Sequence, residues 1–198
     1  FEHSALEYDH QLAQATLGLV AASGNSYKSD AFYWVEGTVG REDNIADAYR
    51  RLGFANPWYV GYEHSLNTPL ETAGCAFAQK TLVQNGQRTT IIAAMLRGVG
   101  YGCEWVSNLH IGGQGGHCGF VAAAEQCYAD LQTYLAMAKK AAGELGTTRL
   151  CLGGYSRGAA AANLAAAKIR QQMPDLAPEN TFVYTFATPA ALTAVDCP

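Results

Sequence analysis

Charge is scarce in this sequence. Asp, Glu, Lys and Arg supply 15% of it, well below the usual quarter or so, while 49% is apolar or aromatic. That balance excludes a disordered chain and suits a heavily buried sheet. The 13 basic residues form no run and the net charge is −4, which excludes a nucleic-acid-binding face. Apolar runs are short as well. None approaches the roughly 20 residues that cross a bilayer, and no signal peptide is visible. The chain opens at Phe1 rather than Met, which reads as a processed or cut piece and leaves room for a leader already removed. The six cysteines (Cys75, Cys103, Cys118, Cys127, Cys151, Cys197) show no C-x-x-C spacing, so a zinc ribbon or a redox motif has no support. No G-x-x-x-x-G-K-[ST] run exists, so the Gly112–Gly116 stretch is not a phosphate cradle. No repeat or low-complexity linker divides the chain, and residues 1–198 read as a single domain. Finally, all five histidines (His3, His10, His64, His110, His117) precede Ser156.

What is present centres on Arg149 to Ala167, RLCLGGYSRGAAAANLAAA. A short apolar strand meets two glycines, then Tyr155, Ser156, Arg157 and Gly158, and an alanine-rich helix follows. Gly154-Tyr155-Ser156-Arg157-Gly158 fits G-x-S-x-G, the nucleophile elbow. The glycines are expected because the turn strains the serine, and a Cβ at either flank would meet neighbouring backbone. Ser156 would stand at a helix N-terminus, where amides and the helix dipole favour developing negative charge. The blander alternative is a small residue that merely lets helix and strand approach.

Around that turn the pattern alternates. Residues 9–22 have helical apolar spacing with Asp9 as N-cap, and residues 43–52 form a second helix ended by Gly53. Residues 56–73, with Pro57, Pro69 and His64, read as a loop with strand fragments. Gly74–Val83 reads as a strand, followed by a hairpin turn at Asn85-Gly86. Thr89–Leu96, TTIIAAML, is apolar enough to be covered on both faces. A glycine-rich loop region runs from Arg97 to Gly119. Residues 120–145 form the clearest helix, with Phe120, Ala123, Ala124, Cys127, Leu131, Tyr134, Leu135, Ala138 and Ala142 on one face and Asp130, Lys139 and Lys140 on the solvated one. Thr181–Phe186 is a last strand, stopped by Pro189. This order predicts an α/β fold with a largely parallel central sheet flanked by helices. Cys151 in a strand and Cys127 on an apolar helix face read as buried free thiols. They favour a reducing, cytoplasmic setting; secretion stays open.

Four motifs in order, over about residues 75–190, resemble the class 3 lipases, the fungal-lipase-like branch of the α/β-hydrolases. Leu96-Arg97-Gly98-Val99, followed by Glu104-Trp105 and Asn108-Leu109, is similar to F-R-G-T/S…D-W…N-L. His117-Cys118-Gly119-Phe120 resembles H-x-G-F, the elbow stands where G-H-S-L-G would, and Tyr184 to Pro189 resembles Y-T-F-G-x-P. The resemblance implies a serine hydrolase of carboxylic esters, lipase or esterase in kind, with no cofactor and no metal. Its partners would be a small-molecule or lipid ester and a transient lipid interface. Ser156 would be the nucleophile, and the backbone amides of Val99 and Arg157 would form the oxyanion hole. Residues 101–116 would occupy the lid position, with Trp105 either lining an acyl pocket or anchoring the loop. His117 would be structural, with a base recruited from an unusual position as the other reading, and Glu104 and Asn108 would support the loop.

The departures are informative. Val99 lacks the hydroxyl of the family's Thr or Ser, and one lost oxyanion donor costs on the order of 3 kcal/mol in the transition state. Arg157 replaces Leu and would put a charge beside the site; Tyr155 replaces His, and Ala159 replaces a glycine. The α/β-hydrolase order is Ser, acid, His, yet only Asp175, Glu179 and Asp196 follow Ser156 as acids, and no histidine does. The expectation is that the remaining triad residues lie in a C-terminal part absent from this chain. A domain of this fold that binds a lipid or a protein without catalysis is the competing expectation.

Overall fold

The computed structural model of the chain describes residues 4–24, 41–62, 73–98, 107–110 and 117–191. Five strands form one sheet in the order β1-β2-β3-β4-β5: β1 Ala55–Val60, β2 Cys75–Gln84, β3 Gln87–Leu96, β4 Thr147–Tyr155 and β5 Thr181–Phe186. The sheet is mixed. β1, β2 and β3 form an antiparallel meander, and β3, β4 and β5 are parallel. The parallel half follows from the intervening helices, α3 (Cys118–Ala142) and α4 (Arg157–Gln172), which carry the chain back across the sheet. The antiparallel half follows from the Asn85-Gly86 turn, where φ is 51° and then 77°, as a two-residue hairpin requires.

β3 shows why the apolar run had to be covered on both faces. Ile92, Ala94 and Leu96 enter one core with α3 (Ala123, Ala124, Cys127, Leu131, Tyr134) and α4 (Ala161, Ala162, Ala165, Ile169). Ile91, Ala93 and Met95 enter the other, with Leu19 and Val20 of α1 (His10–Gly24) and with Ile45 and Tyr49 of α2 (Arg41–Arg51). Strand periodicity of two makes this division unavoidable. Asp9 caps α1 as expected, its Oδ1 accepting from the Leu12 amide at 3.0 Å. α1 and α2 are joined by Ser23, whose hydroxyl pairs with Tyr49 Oη at 3.0 Å and whose carbonyl accepts from Tyr62 Oη at 2.8 Å.

Two assignments on α3 change. Asp130, expected in solvent, is 7% exposed and takes one hydrogen bond from Gln126 Nε2 at 2.9 Å. Burial pushes its carboxyl above the ordinary range, with the Gln126 bond pulling the other way. Ala142, expected on the buried face, is exposed, as are its neighbours from Lys139 to Glu144. Residues 56–73, read as a loop with strand fragments, contain most of β1; His64 lies outside the described residues. Cys75, Cys118, Cys127 and Cys151 are free thiols, and Cys103 and Cys197 lie outside the described residues. Among the described residues, no helix is long and apolar enough to cross a membrane.

Candidate active site

The elbow forms where β4 ends against α4. Ser156 takes φ 52° and ψ −122°, a conformation that L side chains rarely adopt. It is held there by the neighbouring strands rather than by its own preference. The Ser156 amide donates to Phe186 O of β5 at 2.9 Å, and Ser156 O accepts the first bonds of the helix from Ala159 and Ala160. The flanking glycines are required sterically. A Cβ on Gly154 would lie 2.4 Å from Gly158 O, and a Cβ on Gly158 would lie 2.4 Å from Arg97 O and 2.5 Å from Leu96 O. The first turn of α4 therefore rests on the backbone at the end of β3. A real Cβ at either position would prise them apart.

The loop leaving β3 runs beside the serine. A Cβ built on Gly98 would sit 3.7 Å from Ser156 Cβ and 3.2 Å from the Tyr155 ring. Gly98 thus lies within close reach of both Tyr155 and Ser156. Val99 itself, like Trp105 and Glu104, lies outside the described residues. Arg97 fastens this exit: it is 2% exposed, its Nη2 donates to Gly61 O at 3.2 Å, its Nη1 to Gly98 O at 3.3 Å, and it faces the Tyr62 ring. Gly74 makes room for it, since a Cβ there would be 2.2 Å from Arg97 Nε.

Arg157 corrects the expectation of a charge beside the nucleophile. Its side chain is 1% exposed and runs inward, with Nη1 donating to Asn108 Oδ1 at 3.2 Å and Nη2 to Gly119 O at 3.3 Å. Its backbone amide stands at the first position of α4. Nothing local in the sequence distinguishes an inward from an outward arginine at that position. The available signal was a lone long side chain between alanines and glycines.

His117 stands at the N-cap of α3. Its ring stacks on Phe120 at 3.8 Å, Nε2 bonds Asn108 O at 2.9 Å, and its amide donates to Ala191 O. His10 is exposed and bonded to Tyr8, and His110 sits on an exposed stretch. Asp175 and Glu179 precede β5, so they lie at the edge of the parallel strands opposite to Ser156; both are exposed. Neither is placed to orient a base for it. The Ser156 hydroxyl makes no capping hydrogen bond to its own helix. Asp196 and His3 lie outside the described residues. Among the described residues, no group of His, Cys, Asp and Glu could hold a metal ion.

The family described as "Lipase (class 3)" matches residues 86–194, more than half of the chain. Several solved structures share the fold. A Rhizomucor miehei triacylglyceride lipase is 19% identical with a TM-score of 0.55, over 93% of this chain and 65% of that one. A lipase from Rhizopus microsporus var. chinensis is 17% identical with a TM-score of 0.55, over 94% and 60%. A triacylglycerol lipase whose catalytic centre is formed by a serine protease triad is 16% identical with a TM-score of 0.53, over 94% and 65%. The chain thus spans less than two thirds of the length of each of these structures. No curated protein matches the chain by sequence.

Proposed function

This chain belongs to the class 3 lipase family, and from that premise we propose that it is a serine hydrolase cleaving carboxylic esters of lipid type through an acyl-enzyme on Ser156. The observation that carries the reading is the strained φ of Ser156, set between two glycines that have no room for a Cβ and close to Gly98 at the exit of β3. A serine held at such cost has a hydroxyl aimed away from its own helix, over the C-terminal ends of the parallel strands. In this reading the Ser156 Oγ–carbon bond forms as its proton passes to a histidine. The tetrahedral oxyanion is held by the amides of Arg157 and Val99, aided by the positive end of α4. The alcohol leaves with that proton, and water then cleaves the acyl-enzyme and regenerates the hydroxyl. The acid and histidine are proposed to come from residues following β5, as the order serine, acid, histidine requires.

Two exposed apolar side chains support a lipid substrate and a transient lipid-interface contact. Tyr155 at the elbow is 49% exposed and Leu109, next to Asn108, is 78% exposed. A fluorophosphonate probe tests the whole reading. The full-length protein should be labelled at Ser156, and Ser156→Ala should abolish the label. If the folded full-length protein stays unlabelled, the chain is instead a lipid- or protein-binding domain on a hydrolase scaffold.

A further inference from the structure

We propose that the Arg157 side chain is a positioning residue, which holds its own oxyanion amide in place by locking the elbow to Asn108. The inference rests on Ser156 being the nucleophile. Its starting point is the cost of the arrangement. A guanidinium almost wholly removed from water is tolerated only where directional bonds replace its hydration. Here the planar fork reaches two segments at once, donating to the Asn108 side chain at 3.2 Å and the Gly119 carbonyl at 3.3 Å. The Phe120 ring lies 5.7 Å from the guanidinium carbon.

Asn108 is the hub of this contact. Its side-chain oxygen accepts from Arg157, and its backbone oxygen bonds His117 Nε2 at 2.9 Å. His117 in turn stacks on Phe120 and donates its amide to Ala191 O at 3.0 Å. The Ser156 amide meanwhile donates to Phe186 O. Through these bonds the residues after β4, those after β5 and the 107–110 segment between β3 and α3 are tied to one another.

The strands hold the elbow by its backbone, and few side chains add to that hold. From Gly154 to Ala162 the other residues are glycine, alanine, Ser156 and the exposed Tyr155. Arg157 is the long side chain that turns inward there, and it belongs to the same residue as the oxyanion amide. A small drift of that amide is enough to lose transition-state stabilisation, because positioning errors near 1 Å cost as much as about a hundred-fold in rate. The family pattern puts leucine at this position. Leucine could fill the space, but it has nothing to donate to Asn108.

The test compares the full-length protein with R157L, R157K, N108A and the R157L/N108A double variant. The rate of fluorophosphonate labelling at Ser156 is measured together with hydrogen exchange over 117–121 and 156–160. R157L and N108A should each slow labelling by about ten-fold or more. The double variant should be no slower than R157L alone, and R157K, which keeps a donor, should recover part of the loss. Exchange should rise in both peptides of R157L. Labelling of R157L at the wild-type rate, or effects of R157L and N108A that multiply in the double variant, would overturn the proposal. If the wild-type protein does not label, the nucleophile reading fails by itself and exchange decides: unchanged protection at 156–160 in R157L overturns the lock. If R157L does not fold, R157K and N108A carry the same comparison.

Discussion

At Ala187, immediately after β5, the backbone has φ 50°. A Cβ in that region costs roughly 1–2 kcal/mol, against about 0.5–1 kcal/mol for the extra freedom that glycine loses on folding. The resemblance puts a glycine here, in Y-T-F-G-x-P, and the conformation gives the reason. Ala187→Gly should therefore raise stability by about 0.5–1 kcal/mol, seen as a higher urea midpoint at unchanged slope. A lower midpoint would mean that the strain is relieved elsewhere. Residue-scale features of this kind divide by whether they act through the backbone. Gly154 and Gly158 were legible through the G-x-S-x-G pattern, and the atoms that exclude a Cβ are backbone: Gly158 O for the first, Leu96 O and Arg97 O for the second. The inward course of Arg157 and the burial of Asp130 were not, since each is set by Asn108 or by the packing of α3, partners distant in sequence.

Elements were legible where local chemistry decides. Asn-Gly fixed the β2–β3 turn, and Asp9 fixed the start of α1. β1 was obscured by Pro57, which cannot donate to a ladder. The structure accommodates it on an edge strand whose register shifts between Ala55 and Trp58, with Asn56 at φ 52°. The approach of α1 to the sheet is set by another small residue. A Cβ on Gly153 would lie 2.6 Å from Met95 Sδ, 2.7 Å from Thr16 Cγ2 and 2.9 Å from Val20 Cγ2. Met95 can bend away, but the two branched side chains are fixed to a helix. Gly153→Ala should cost about 1–3 kcal/mol by overpacking, measured by urea unfolding, and Val20→Ala in the same chain should return part of it. An unchanged midpoint in the single variant would show that α1 is free to shift.

For the molecule as a whole, burial of thiols gives stability a pH limit. The Cys151 thiol is pushed up from 9.0 to about 11 by burial, with the Thr16 hydroxyl 3.4 Å away acting in the opposite sense. Burial raises the Cys75 thiol as well, and Cys127 beside it adds to the effect. The unfolded chain therefore releases these protons from about pH 9, while the folded chain keeps them. Between about pH 9 and 11 the folded state binds more protons, so stability falls as pH rises. Urea midpoints should drop between about pH 8 and 10.5, and less so in Cys151→Ala; a flat profile would contradict the burial. The mixed character of the sheet has a further consequence in polymer terms. β2 and β3 meet across the two-residue turn Asn85-Gly86, whereas β3 and β4 meet only after the whole stretch from Arg97 to Gly146. Each doubling of a loop adds about 0.6 kcal/mol of closure entropy. The chain-closure cost of the fold is thus concentrated in its parallel half, where the elbow lies. A cross-link or a bound ligand that ties β4 to β3 will stabilise the surroundings of Ser156 more than the same tie placed across the hairpin.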